Sequence, residues 1–173
     1  MDALDLDQVL LVGHSAGGEI GWRLALRSPE RIPKMVLISP SGYPRENLPF
    51  TESLIRVPVL GRIAAGMTSR WLIRSGLEYA FRDPANATQD LVEQYYQRMR
   101  KEGNRDAMRK IACEQPDDLY KQMPEVHVPT LVIWGEHDHS VPTAHAALFE
   151  RDLPDARVEI LPDCAHMPQW EKP

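Results

Sequence analysis

No stretch of this chain stays apolar long enough to span a bilayer. No run of lysine and arginine marks a nucleic-acid surface either, and the formal net charge of -5 points away from one. The densest basic cluster, Arg98-Met99-Arg100-Lys101, reads as the solvated side of a helix. Cysteine is scarce. Cys113 and Cys164 lie far apart and form no CxxC pattern, which argues against a disulfide framework and leaves two reduced thiols. The opening Met1-Asp2-Ala3-Leu4-Asp5 is acidic where an export signal would be basic. No internal repeat and no low-complexity segment is present. What remains is the expectation of a cytoplasmic globular protein with no membrane and no nucleic-acid partner. An apolar content of 43% is enough to build an ordinary core.

The stretch Val9 to Gly18, VLLVGHSAGG, carries most of the information. Val9 to Val12 is an unbroken apolar run that suits a strand buried on both faces of a parallel sheet. Gly13-His14-Ser15-Ala16-Gly17 then reads G-x-S-x-G. A serine hydroxyl becomes useful when a sharp strand-to-helix turn lifts it above the sheet. Such a turn leaves no room for side chains two residues either side, and Gly13 and Gly17 supply that room. The following helix aims its first amides at the place where an oxyanion would form. Taken alone, the same residues are also a glycine-rich turn with an incidental serine.

The rest of the chain supplies context. Met1 to Gln8 reads as the tail of a helix and a loop. Glu19 to Arg27 places Ile20, Leu24 and Ala25 at helical spacing, widened by Trp22 and Leu26, and Ser28-Pro29 ends it. Lys34 to Ser39 is a second buried strand, so strand, helix and strand form a βαβ unit with parallel strands. From Tyr43 to about Pro124 helical patterns take over. They are predicted over 67–81, over 88–102 with Thr88 as N-cap and Gly103 as stop, and over 104–112. Strands resume at Val128 to Trp134 and at Arg157 to Leu161, with a helix near Thr143 to Arg151 between them. The chain then ends before a final helix could form.

VLLVGHSAGG resembles the nucleophile elbow of the α/β-hydrolase fold family, in which G-H-S-x-G-G is a frequent form. Two further motifs fit that family. Gly135, Asp138 and Pro142 match its G-x-x-D-x-x-x-P. His166, Pro168, Glu171 and Pro173 match its G-H-x-P-x-x-E-x-P, with Ala165 in place of the glycine. The chain order serine, acid, histidine is that of the fold, and each residue follows a predicted strand end, the edge where open α/β sheets bind ligands. The resemblance therefore implies a triad: Ser15 as nucleophile, His166 as general base within hydrogen-bond reach of it, and Asp138 as orienting carboxylate. The Ala16 amide is the implied oxyanion donor. Glu136 is the reserve acid, and His14 is read as packed at the elbow. His137, Asp138, His139 and His145 could be read as metal ligands, but no spacing completes such a site, and neither metal nor cofactor is expected.

In the family the elbow strand is the fifth of eight, after roughly a hundred residues, within typical domain sizes. The resemblance thus implies a partial α/β-hydrolase fold whose parallel strands are equivalent to the fifth to eighth. Residues 1–42 and 125–173 would form the core and 43–124 an inserted helical cap. No HGGG or HG-x-G, the usual second oxyanion donor, occurs. The implied activity is hydrolysis of a small-molecule carboxylic ester through an acyl-serine intermediate, impaired by the missing half. The alternatives are a carbon–carbon bond hydrolase acting on a dienoic acid and a non-catalytic fragment or binding scaffold. An aspartate nucleophile is disfavoured because position 15 is serine. An elbow strand left at a sheet edge would also favour self-association.

Overall fold

A computed structural model describes residues 1–44, 69–113 and 117–173. The parts of the expected cap that fall on 45–68 and 114–116 lie outside the described residues. Four strands form one fully parallel sheet in the order β1 (Leu10–His14), β2 (Lys34–Ile38), β3 (Thr130–Gly135) and β4 (Ala156–Leu161). Helix α1 (Ala16–Arg27) connects the first two strands, as the βαβ pattern requires. Helix α5 (His145–Asp152) connects the last two. Between β2 and β3 the chain forms α2 (Arg70–Ala80), α3 (Gln89–Arg100) and α4 (Asn104–Cys113).

The chain divides into two compact units. The first comprises residues 1–43, 80–82 and 118–173 and holds the sheet. Its core lies where α1, α5 and the 3-10 turn Leu119–Glu125 cover the strands: Trp22, Leu37, Met123, Val132, Trp134 and Phe149 are all fully buried. Two of these carry a polar handle that must be met in an apolar interior. Trp22 Nε1 donates to the Ser41 carbonyl (3.2 Å) and Trp134 Nε1 to the Val141 carbonyl (3.1 Å). The sheet unit thus begins again at Asp118, seven residues before the boundary expected at 125, because Met123 belongs to its core.

Two strand and helix expectations are corrected. Strand β1 is not buried on both faces. It lies at the edge of the described sheet, as expected for the elbow strand, but Leu10 and Val12 are 72% and 68% exposed. In α1 the buried stripe is Gly18, Gly21, Trp22 and Ala25, and Ile20 faces solvent. The small residues let the helix lie close on the strands, so the apolar periodicity marked the wrong side of Ile20. The chain also ends in one helical turn, α6 (Pro168–Glu171), where none was expected. At the other end, Asp2–Leu4 is a 3-10 turn.

The second unit, residues 44–79 and 83–117, is helical where described. Thr88 caps α3 by accepting the Leu91 amide on Oγ1 (3.3 Å), which satisfies one of the helix's orphan donors. Gly103 takes a φ of +83° between α3 and α4, a conformation that favours glycine. Arg70 forks onto Glu93 (2.7 and 3.1 Å) and lies over the Tyr96 ring, tying α2 to α3. That pair is exposed and contributes little. The buried apolar residues Leu77, Ala87, Leu91 and Val92 contribute more.

Candidate active site

The elbow is built at the end of β1. Ser15 has φ 54° and ψ -122°, a strained conformation for a residue with a side chain. Such strain costs about 1–3 kcal/mol and persists only where surrounding bonds over-determine it. They do so here. The Ser15 amide donates to the Ile38 carbonyl (2.9 Å), and its own carbonyl accepts from Gly18, Glu19 and Ser41 (2.9, 3.2 and 3.1 Å). Ser15 sits at the N-cap of α1, yet its hydroxyl makes no capping hydrogen bond. A capping serine would spend its oxygen on its own helix; this one does not. The Ala16 amide stands in the first turn beside it.

The glycines divide differently from expectation. A Cβ on Gly13 would lie 2.5 Å from the Gly17 carbonyl oxygen, so Gly13 is required by close approach. A Cβ on Gly17 would meet nothing within 4 Å among the described residues. The second position without space is Gly18, whose Cβ would fall 2.8 Å from the Pro40 Cβ. Helix α1 packs there against Pro40, two residues past the end of β2, so the third glycine of the run serves the packing expected of the second.

Asp138 and His166 meet as the motif order implies. Asp138 follows β3 and His166 follows β4, and His166 Nδ1 lies 2.8 Å from Asp138 Oδ2. The other carboxylate oxygen accepts the Ser140 and Val141 amides (2.8 and 2.9 Å). Both residues are buried. Burial, the largest single influence, would raise the Asp138 pKa, and the hydrogen bond and charge of His166 oppose it. With the Val141 amide and the Ser39 hydroxyl, they hold the carboxyl below its ordinary value. An ionised carboxylate only accepts, so Nδ1 donates the proton of that bond. Ser15 and His166 are not hydrogen-bonded, which departs from the expected contact. Such bonds are often long before substrate is bound. The elbow and the histidine loop nonetheless touch through His14, whose ring centroid is 4.7 Å from that of His166.

His14 is more than packing. Its Nε2 lies 2.7 Å from the His166 carbonyl oxygen, which can only accept, so Nε2 carries the proton. Burial, and then the proximity of His166, hold its pKa below the ordinary histidine value and favour this neutral form. Glu136 is not on the imidazole: it lies 3.5 Å from His137 Nε2 and accepts the Asp163 amide (3.4 Å). His145 faces the Tyr43 ring at 5.8 Å. Sequence reasoning missed Ser39, which is fully buried with φ 42° at the end of β2. Its hydroxyl is close enough to favour the Asp138 anion but stands outside hydrogen-bond geometry. A serine is an ordinary strand-end residue, so nothing in the sequence singled it out.

Comparison with known proteins identifies the fold family. The family model described as "alpha/beta hydrolase fold" matches residues 1–173. The 2-hydroxy-6-oxo-6-phenylhexa-2,4-dienoate hydrolase of Comamonas testosteroni is 27% identical over 99% of this chain and 61% of its own length. An uncharacterized hydrolase, YugF, of Bacillus subtilis is 29% identical over 100% of the chain and 64% of its own length. The chain thus spans under two thirds of these curated relatives. Among solved structures, a hydrolase from Pseudomonas aeruginosa superposes with a TM-score of 0.76 at 26% identity, over 99% of this chain and 63% of that one. A meta-cleavage product hydrolase superposes with a TM-score of 0.77 at 24% identity, over the same shares, and speaks to the fold.

Proposed function

Because the chain belongs to the α/β-hydrolase fold family, we propose that it is a serine hydrolase, with Ser15 as nucleophile, that cleaves the carbon–carbon bond beside a ketone in a 2-hydroxy-6-oxo-dienoate. The observation that carries the hydrolase reading is the 2.8 Å bond from His166 Nδ1 to Asp138 Oδ2, which leaves Nε2 as the ring nitrogen not engaged by the carboxylate. With it goes the strained backbone of Ser15 at the end of β1. The carbon–carbon substrate is favoured by the relative of that name and by a second named for 2-hydroxy-6-oxononadienedioate, from Paraburkholderia xenovorans at 28% identity.

The chemistry follows from the groups present. Ser15 Oγ attacks the ketone carbon while His166 Nε2 takes the hydroxyl proton and Asp138 stabilises the imidazolium. The resulting oxyanion points at the Ala16 amide. Collapse of the tetrahedral intermediate breaks the carbon–carbon bond. The electron pair has a place to go in the 2-oxo tautomer, formed when the 2-hydroxyl proton moves to the carbon beside the ketone. It enters the enone to give a dienolate, and the imidazolium returns the proton to that leaving fragment. Water, deprotonated by the same Nε2, then releases the acyl group as a carboxylic acid. A carboxylic ester uses the same steps with an alkoxide leaving group and is the second reading. No cofactor has a step in either. We take the helical unit as the family's cap.

The test labels the protein with a fluorophosphonate probe beside its Ser15→Ala variant. It then follows loss of 2-hydroxy-6-oxo-6-phenylhexa-2,4-dienoate and release of p-nitrophenol from an activated ester. Labelling confined to Ser15 with faster dienoate turnover is expected. Ester turnover alone moves the substrate to the second reading. Equal labelling of both proteins removes Ser15 as nucleophile and leaves a non-catalytic scaffold.

A further inference from the structure

We propose that Glu171 is a positioning residue for His166, acting through the backbone amides on either side of it. The inference rests on reading His166 as the general base. Glu171 Oε1 accepts the Ala165 amide at 3.0 Å and the Met167 amide at 3.4 Å, and Oε2 accepts the Arg82 amide at 2.9 Å. Among the described residues no cation pairs with this carboxylate, so three backbone donors meet its charge. Ala165 and Met167 are buried. Without the carboxylate their amides would lose their acceptor away from water.

The geometry explains why a glutamate stands there. Pro168 opens the helical turn α6 immediately after Met167, and Glu171 closes it. The side chain therefore folds back over its own turn, much as a capping-box glutamate reaches the N-cap amide. Oε2 reaches outward to Arg82, two residues past Ala80, whose carbonyl accepts the His166 amide (2.9 Å). Glu171 thus ties the histidine loop to the segment that holds the histidine's own N–H. With His14 on the His166 carbonyl (2.7 Å), the backbone from 165 to 167 is fixed from three directions. Asp138 then has only the ring rotation of His166 left to set. Cys164, 3.7 Å from Oε1, is drawn into the same cluster. Burial and then the Glu171 charge push its thiol up to about 12, which keeps it a neutral packing group.

A glutamate that only stabilised the fold would lower the unfolding temperature and leave the folded site unchanged. A positioning glutamate changes His166 in molecules that remain folded. The experiment compares wild type with Glu171→Ala, Glu171→Gln and Val126→Ala. The last removes core volume at a buried residue far from the loop in sequence and serves as the stability control. Each is read by the maximal rate and half-saturating concentration of fluorophosphonate labelling, by the low-field proton resonance of His166 Nδ1–H, and by thermal unfolding.

In Glu171→Ala the maximal labelling rate is expected to fall about 10²-fold, the loss that roughly 1 Å of misplacement produces. Half-saturation should hold, and the low-field proton should broaden at temperatures where the protein stays folded. Glu171→Gln keeps an oxygen for Ala165 and Met167 and should recover most of the rate. Val126→Ala should unfold earlier with wild-type rate and resonance. If Glu171→Ala does not fold, Glu171→Asp, one methylene short of the amides, is read in its place. A wild-type rate and resonance in the folded Glu171 variant overturns the proposal, as does an equal loss in Val126→Ala. If wild type itself is not labelled but the resonance responds to Glu171→Ala, the hydrolase reading fails and the positioning role stands.

Discussion

Gly135 offers a test of the site that touches none of its reacting groups. It ends β3, pairs with Leu161 of β4 and stands three residues before Asp138. A methyl group added there would lie 1.9 Å from the Ala165 carbonyl oxygen and 2.6 Å from that of Cys164, both main-chain atoms that no side-chain rotation can clear. Real Cβ contacts stay above 3.0 Å, so about 1.1 Å of movement is needed, the difference between 3.0 and 1.9. The Ala165 carbonyl is bonded directly to the His166 amide nitrogen. Movement must therefore appear between the ends of β3 and β4, across which the Asp138–His166 bond of 2.8 Å is made. Overpacking of this size costs about 1–3 kcal/mol, and misplacement near 1 Å costs about 10² in rate. Gly135→Ala should lose that much stability in urea unfolding and that much Ser15 labelling. Gly76→Ala is the control: its methyl meets nothing within 4 Å among the described residues in the middle of α2, and about 0.5–1 kcal/mol of stabilisation is expected. Gly135→Ala with wild-type labelling and stability would refute the claim that β3 and the histidine loop are in obligatory contact.

The two adjacent elbow glycines should separate. Gly18→Ala, 2.8 Å from Pro40, is expected to lower stability by about 1–3 kcal/mol, whereas Gly17→Ala should fall within about 0.5 kcal/mol of wild type, both by urea unfolding. Asp138 gives a pH dependence whose sign is fixed. Its carboxyl is held below 3.8, so the native state releases that proton more readily than the unfolded chain. The associated stability is present above 3.8 and lost as pH falls through the lower folded value. The stability advantage of wild type over Asp138→Asn should accordingly shrink between pH 5 and pH 3, and a constant gap would contradict the assignment. Finally, we propose that the exposed Leu10 and Val12 on edge strand β1 drive self-association. Sedimentation should be concentration-dependent and become monomeric in Val12→Lys.

The order of strands and helices was readable because each strand is a short run rich in valine, leucine or isoleucine that ends near a proline or glycine. The three motifs were readable because they are local. Ser15 with its glycines, Gly135 with Asp138, and His166 with Pro168 each span a few residues, and their spacing reflects one turn's geometry. What local pattern could not show is which face of an element has a neighbour. Ile20 and Val12 continue sound apolar periodicities, yet both are exposed. Burial depends on what packs opposite, and the periodicity of one element does not contain that. Gly18 makes the same point in reverse: its need for a bare Cα comes from Pro40, beyond a helix and a strand.

The support of His166 is hidden for a related reason. Nothing local to Ala80 or Arg82 suggests that their backbone groups hold a histidine more than eighty residues later, because any residue offers a carbonyl and almost any an amide. From sequence His14 reads as packing, because a histidine between glycine and serine has no partner nearby. Its partner is a main-chain oxygen on another loop. Glu171 was visible as a motif position but not as a function, since its carboxylate answers amides rather than a charged side chain. Reactive groups are restricted in residue type and leave a trace in sequence. The main-chain atoms that hold them in place are common to every residue and leave almost none. That asymmetry predicts where sequence reasoning about such sites fails: it finds candidate reactive side chains and misses the main-chain groups that support them.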